Sequence, residues 1–263
     1  MNLHQKTWKL GSLAGAVIGL GALSSLAAES WDGTLVQYGT MHEAIGQQHY
    51  QGRVKVSALL DQPHFFGVAA LEKLKGEITV FESDVTVTGV TAEGKLEPVR
   101  GEGLQATLLA GAYVPAWTEH KVESDIPPAG FDDLIRDTAA KSGVDVSKPF
   151  VFTLEGEFSD VRVHVINGAC PIHARMKKIE LSKEQRPFEG EYETIHGRLV
   201  GVYARDAVGD LTHPATSTHV HLIFEDSASG EKATGHVEQV GLTQGAVLRL
   251  PVTKRSQGAH PAD

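Results

Sequence analysis

The sequence predicts an α+β fold that is mostly β, with two packed mixed β-sheet subdomains, a few short helices and a metal site on a C-terminal β-hairpin. Apolar and polar residues alternate in several short runs, for example 77–81 and 161–165, and a period of two residues is typical of strands with one buried face. One apolar stripe at helical spacing lies between Ala129 and Ser142. Strands therefore outnumber helices in the predicted fold.

The N-terminus has the pattern of a secretory signal peptide. Lys6 and Lys9 precede an uncharged apolar run from Leu10 to Leu23, and Ser25-Leu26-Ala27 follows with small residues at a cleavage site. A membrane anchor is the alternative, but the run is short and rich in Gly, Ala and Ser. We expect residues 1–27 to be removed and the mature protein to be periplasmic or secreted, with no membrane association after cleavage.

The mature chain, residues 28–263, is long enough for one domain in two parts. Pro127-Pro128 and the connection 143–149 indicate a division into an N-terminal part of about 30–145 and a C-terminal metal-binding part of about 146–255.

Charge and cysteine content exclude several classes of protein. Removing Lys6 and Lys9 with the signal peptide lowers the formal net charge from −9 to −11, which argues against nucleic acid as a partner. Cys170 is the only cysteine, so an intramolecular disulfide or a thiolate metal site cannot form. Beside Pro171, Cys170 is expected to be a buried apolar residue rather than a nucleophile.

The remaining elements follow from local patterns along the chain. Helices are predicted at Thr40–Tyr50, Gly67–Lys75 and Ala129–Ser142, the last ending at Gly143. Alternation predicts strands at 77–81, 85–87, 151–158, 161–165 and 198–203.

Three histidines near the C-terminus are spaced for metal binding. His219 and His221 alternate with apolar residues and project from the same strand face. The polar loop 226–231 has the composition of a turn, which would set His236 opposite His221 on the next strand. Three protein ligands with one open position are typical of a catalytic zinc. The alternative is that the histidines are polar residues on the exposed face of a hairpin.

Several segments together resemble the α-acetolactate decarboxylases, a family of zinc enzymes. Phe66–Ile78 is similar to the family's glycine, short helix and L-D-G-E-L segment. Glu155–Arg162 resembles its G-x-F-x-x-V-K/R strand, and the hairpin resembles its H-x-H and G-G-H motifs. The resemblance in order and approximate spacing covers about Leu35 to Leu250, which is nearly the whole mature chain.

The resemblance implies zinc ligands and catalytic residues at particular positions. It makes His219, His221 and His236 the Zn²⁺ ligands and places Glu77 on the active-site glutamate. The family's active-site arginine lies two residues beyond Arg162, where this chain has His164. Strand parity keeps positions 162 and 164 on one face, so we expect Arg162 or His164 to orient the substrate.

The resemblance also implies a reaction and a substrate. The family converts 2-acetolactate, a 2-hydroxy-3-oxo acid, to acetoin and carbon dioxide, and a homodimer is compatible with this interpretation. The family's C-terminal tail carries another active-site glutamate, which has no counterpart in the 27 residues that follow His236.

Other classes of protein compete with this interpretation. His219, His221 and Glu225 have the H-x-H-x-x-x-E spacing of a cupin metal site, although little chain follows for the remaining strands of a barrel. The plant-and-prokaryote conserved domain has a similar hairpin, but it would account only for residues 188–250. An exported relative of the decarboxylases that binds metal without turnover is a third alternative.

Overall fold

The computed structural model of the protein describes residues 29–254, so the expected signal peptide lies outside the described residues. Two α-helices are present in the described chain, α1 (Phe131–Lys141) and α2 (Pro171–Lys177), beside single turns such as the π-helical His42–Gly46 and the 3₁₀ turn Glu72–Leu74. The strands are β1 (Val36–Tyr38), β2 (Val54–Lys55), β3 (Phe65–Leu71), β4 (Glu77–Phe81), β5 (Asp84–Val90), β6 (Leu96–Pro98), β7 (Gln105–Tyr113), β8 (Trp117–Lys121), β9 (Phe150–Val165), β10 (Phe188–Tyr203), β11 (Thr218–Glu225), β12 (Lys232–Leu242) and β13 (Val247–Pro251).

The strands form two sheets. The first has the order β1-β7-β3-β4-β5-β6, with β2 also paired to β7. The second has the order β10-β11-β12-β9-β13-β8, and β10 also pairs with β9. The chain passes from the first sheet to the second between Tyr113 and Trp117, ahead of the division that its composition suggests.

The long strands β9 and β10 organise the second sheet. Their pairing extends from Phe150 opposite Tyr203 to Val165 opposite Phe188. The C-terminal half of β9 also pairs with β12, and the C-terminal half of β10 pairs with β11. Because β11 pairs with β12, the four strands form a closed circuit of hydrogen-bonded neighbours.

The two sheets pack face to face around a shared apolar core. Its largest cluster joins Phe66 and Val68 of the first sheet to Phe152 and Leu199 of the second. Such burial is the main favourable term in folding, at about 25 cal/mol per Å² of apolar surface. α1 adds Phe131, Ile135 and Ala139 to the same core.

The fold class predicted from the sequence is confirmed, with two corrections of detail. Ladder pairs in both sheets run antiparallel rather than mixed, because short turns connect consecutive strands. The helix predicted at Gly67–Lys75 is wrong: its first half belongs to β3, which is buried at every residue. A strand buried on both faces has no two-residue alternation, so its pattern resembles that of a helix.

The other helix predictions differ in outcome. The helix between Ala129 and Ser142 is confirmed as α1, whereas 40–50 contains only the single turn His42–Gly46. Within residues 29–254, no helix has the length and apolar character needed to cross a membrane.

Candidate metal centre

The hairpin of β11 and β12 brings three imidazoles together. His221 lies directly opposite His236 across the hairpin, as the sequence predicts, and His219 lies two residues earlier on β11. The ligand atoms of these three side chains all lie within 4.8 Å of one another. Each residue is at most 6% exposed, which excludes the alternative of polar residues on an exposed face.

Burial also keeps the three imidazoles in the form that binds metal. It lowers the pKa of His221 to about 3, with a further lowering from His164. Burial likewise lowers the pKa of His219 and His236 well below the usual value. Each ring is therefore neutral near pH 7 and carries a free nitrogen lone pair. A buried set of three neutral nitrogen donors fits a transition-metal ion, zinc included.

The first sheet fixes the orientation of His221. Its Nδ1 lies 3.1 Å from the carbonyl oxygen of Ile78 and 3.2 Å from Oγ1 of Thr79. Thr79 Oγ1 in turn lies 2.5 Å from Oγ1 of Thr234. Donation from Nδ1 to the Ile78 carbonyl leaves Nε2 as the free nitrogen, which is how outer hydrogen bonds orient metal-binding histidines.

Glu77 is the carboxyl group beside the histidines. On β4, Ile78 and Val80 point into an apolar cluster, so alternation directs Glu77 to the opposite face. Gly76 before it adopts φ +149°, and a Cβ there would overlap the carbonyl oxygen of Thr88. Gly76 therefore lets the chain pass close to Thr88 just before β4, and Glu77 follows as the first residue of that strand.

The surroundings of Glu77 favour its protonated form. The residue is 3% exposed, and burial raises the pKa of its carboxyl group well above the usual value, although the backbone of Ile166 hydrogen-bonds to it. Glu77 Oε2 lies 3.6 Å from Nε2 of His221. Two ligands of one tetrahedral zinc would be separated by about 3.3 Å, given bonds of about 2.0–2.1 Å, so Glu77 lies within reach of an ion at this site.

His164 extends the histidine row onto a third strand. It lies opposite His236 in the pairing of β9 with β12, and their ring centroids are 4.9 Å apart. His164 Nδ1 lies 2.8 Å from Oε1 of Glu238, a residue placed at a register shift of β12. Arg175 of α2 donates to the same Glu238 oxygen and to Glu189.

These contacts keep Glu238 ionised. Burial by itself would raise the pKa of Glu238, but hydrogen bonds from His164 and Arg175 outweigh it and lower the pKa to about 2. A permanent negative charge therefore lies next to the histidine group and holds His164 in place.

Strand parity suggests that Arg162 reaches the site, but in the structure it does not. Its side chain is exposed and donates a hydrogen bond of 3.0 Å to Gln239. A register shift of β12 between Val237 and Gln239 lies opposite Arg162, and the guanidinium bonds to Gln239 there instead of reaching the histidines. The arginine near the histidines is Arg175, which no sequence motif identified.

Two cavities meet the histidines. A small chamber of about 30 Å³ is lined by Glu77, His164, His219 and His236. A larger cavity of about 320 Å³ is lined by Arg175, Glu238 and His236, which is within the range for small-molecule sites. His213, from the connection between β10 and β11, lines both.

Sequence reasoning missed His213, Arg175 and Glu238. His213 lies in a loop and Arg175 in a short helix, so residue spacing alone carries no signal for either. A signal exists only for Glu238, which follows His236 by two residues and would share its face in a regular strand.

Two other sequence interpretations are resolved. Glu225 is exposed at the end of β11 and lies outside the group of three ligands, so the cupin-like site is wrong. Cys170 is buried, and burial raises the pKa of its thiol to about 11. It is an unreactive packing residue at pH 7, as the sequence predicts.

Two antiparallel sheets with a buried three-histidine group at their contact define a mainly β protein with a candidate site for one metal ion. The sequence profile of the Alpha-acetolactate decarboxylase family matches residues 35–261. The chain therefore belongs to this family. No curated protein matches the chain.

Solved structures share the fold. The alpha-acetolactate decarboxylase of Bacillus subtilis strain 168 is 18% identical, with a TM-score of 0.62 over 87% of this chain and 94% of that chain. A Staphylococcus aureus protein of unknown function, similar to alpha-acetolactate decarboxylase, is 14% identical, with a TM-score of 0.57 over 84% of this chain and 86% of that chain. At these identities the likeness shows the fold.

Proposed function

We propose that the protein catalyses the zinc-dependent decarboxylation of 2-acetolactate to acetoin and carbon dioxide. The observation that carries this proposal is the buried group of His219, His221 and His236 with the carboxyl group of Glu77 beside it, in a chain of the Alpha-acetolactate decarboxylase family. His219, His221 and His236 would hold the ion, and a site with three protein ligands would remain open to the oxygen atoms of a 2-hydroxy-3-oxo acid. Zinc, when bound, supplies a Lewis acid that withdraws electron density from those oxygens.

The reaction requires the breaking of one carbon–carbon bond and the delivery of one proton. The bond to the substrate carboxylate breaks, carbon dioxide leaves, and the electron pair stays on the remaining fragment. The carbon that lost carbon dioxide then takes up a proton to give the hydroxyketone. Glu77 holds a proton at its carboxyl group because burial raises its pKa, and it is the donor we assign to this step.

The neighbouring groups bind and position the substrate. The 320 Å³ cavity admits a small acid, and its wall includes Arg175. His164 borders the chamber that contains Glu77, and Glu238 holds its ring in one orientation. We assign His164 a hydrogen bond to a substrate oxygen, where the family has an arginine.

Incubating the zinc-loaded mature protein with racemic 2-acetolactate and measuring acetoin tests the proposal. Acetoin should form with the wild type and with His196→Ala, a control on the exposed part of β10, but not with His221→Ala. Absence of acetoin from a wild type that holds one zinc per chain would sink the decarboxylase assignment. The non-catalytic metal-binding relative would then be the better account.

A further inference from the structure

A fourth imidazole borders the three-histidine group. The ring centroid of His213 lies 5.0 Å from that of His236 and 6.4 Å from that of His219. The rings of the three ligand histidines are themselves separated by 5.0 to 5.7 Å. The distance from His213 to His236 therefore matches the distances among the three ligand rings, whereas His213 lies slightly too far from His219 to belong to the group.

The segment that carries His213 is anchored at both ends but not at its tip. On one side, the buried Thr212 donates its N–H to the carbonyl of Ala207. On the other side, Ser217 donates its N–H to the carboxylate of Asp132 over 2.6 Å. Between these anchors, Thr216 bonds back to the carbonyl of His213, and Pro214 and Ala215 are exposed.

The tip can therefore move without loss of either anchor. In the described part of the chain, the hydrogen bonds of residues 213–216 stay within 213–218. A rotation of the His213 side chain, or a small shift of this tip, would carry its ring toward the other three. The strands that hold His219, His221 and His236 need not change.

We infer that His213 is a displaceable fourth nitrogen ligand of the metal held by His219, His221 and His236. The inference rests on the metal site of the proposed function and adds a state in which that site is closed. Four protein ligands close a zinc site, whereas three leave a position for substrate. His213 lines both the chamber and the larger cavity, so an anion that enters through that cavity competes with it for the fourth position.

Cobalt(II) substitution tests this inference without a measurement of turnover. The visible absorption of the Co²⁺ form of the full mature chain reports the metal's ligands, and azide serves as the probe anion. His213→Ala should shift the absorption bands and bind azide at least about tenfold more tightly than the wild type. Its zinc affinity should fall by about 10–100-fold, the range seen when groups supporting a metal site are removed. His196→Ala, at an exposed position of β10, should match the wild type in all three measurements.

Each outcome decides one question. Wild-type absorption and azide affinity in His213→Ala would overturn the inference. If the alanine variant does not fold, His213→Asn replaces it in these measurements and should show the same spectral shift. A wild type that binds no cobalt or zinc would sink both the metal site and this inference. A confirmed His213 effect in a protein that makes no acetoin would leave the inference standing and sink only the proposed reaction.

Discussion

Thr79 is the residue through which the first sheet supports the metal ligands of the second. Its hydroxyl contacts both His221 and Thr234 in a fully buried position. Thr86 lies directly opposite Thr79 on β5 and is also buried, but its Oγ1 has no hydrogen-bond partner among the described residues. Two adjacent threonines therefore differ in one property, the hydrogen bonding of the hydroxyl group.

This pair gives a matched prediction. Thr79→Val should lower the free energy of unfolding by about 1–3 kcal/mol, because it leaves buried polar partners unsatisfied. It should also weaken zinc binding by about 10–100-fold through the loss of His221 orientation. Thr86→Val should leave zinc binding unchanged and should not lower the free energy of unfolding, since its hydroxyl makes no hydrogen bond among the described residues. Chemical denaturation and zinc titration measure both effects, and equal behaviour of the two variants would contradict the role of Thr79.

Glu77 should be required for turnover but not for metal binding. Glu77→Gln keeps the size of the side chain and its contact with His221 but removes the acidic proton. Acetoin formation should fall by about 10²–10⁴-fold, the usual contribution of a positioned acid or base, while zinc content stays at the wild-type level. Steady-state kinetics and elemental analysis measure the two quantities. A variant with full turnover would remove Glu77 from the proton-transfer step.

At the scale of elements, α2 contributes a charged side chain to the site. Arg175 connects the helix to Glu238 on β12 and to Glu189 on β10. Glu238 in turn holds His164 on β9. Three strands and a two-turn helix therefore meet in one chain of charged contacts beside the histidines.

Removing this guanidinium should affect turnover rather than folding. Arg175→Met should reduce kcat/KM for 2-acetolactate by about tenfold or more with zinc retained, because Glu238 and His164 lose their fixed positions. Arg162→Met is the matched control, since Arg162 is exposed and bonds only to Gln239 in the described structure. Its effect on stability should stay within about 0.5 kcal/mol. A larger loss of turnover in Arg162→Met than in Arg175→Met would restore the role that strand parity suggests.

The sequence predicts those parts of the site that lie close together along the chain. His219, His221 and His236 are joined by a single hairpin, so alternation and a turn suffice to place them. The sequence of β3 resembles that of a helix because burial on both faces removes the alternation on which a strand prediction depends. Arg175 and His213 reach the histidines through tertiary packing, which no local period encodes.

At the scale of the whole molecule, the first testable property is its N-terminus. Lys6, Lys9 and the apolar run that follows them predict a cleaved signal peptide. The mature protein should begin near Ala28 or Glu29 and be found in the periplasm or medium. Intact mass of the protein from fractionated cells measures this. A cytoplasmic species that retains residues 1–27 would contradict the prediction.

The buried histidines also make the stability of the whole molecule depend on pH when metal is absent. The pKa values of His219, His221 and His236 lie below 6.5 in the folded chain, and burial lowers the pKa of His213 to about 4. In the unfolded chain these groups return to about 6.5. Below that pH the unfolded state binds more protons, so stability falls as the pH falls. Glu77 acts in the opposite direction, because its raised pKa makes the folded state bind the extra proton above its unfolded value of 4.5.

Between pH 4.5 and 6.5, the four histidines have a larger effect on the pH dependence of stability than the single carboxyl group of Glu77, which acts in the opposite direction. The apo-protein should therefore lose stability steeply as the pH falls through this window, by up to about 1.4 kcal/mol per pH unit for each unbalanced histidine. Above about pH 6.5 these histidines no longer contribute, and of this set only Glu77 then lowers stability as the pH rises, up to its raised folded-state pKa. Saturating zinc should raise the melting temperature near pH 7, because the ion binds the assembled three-histidine site more tightly than the unfolded chain. Urea denaturation of the apo-protein across this range measures the profile. In the His221→Gln variant, stability should fall less steeply as the pH falls. A flat profile between about pH 5 and 6.5 would show that these imidazoles are not held neutral by burial.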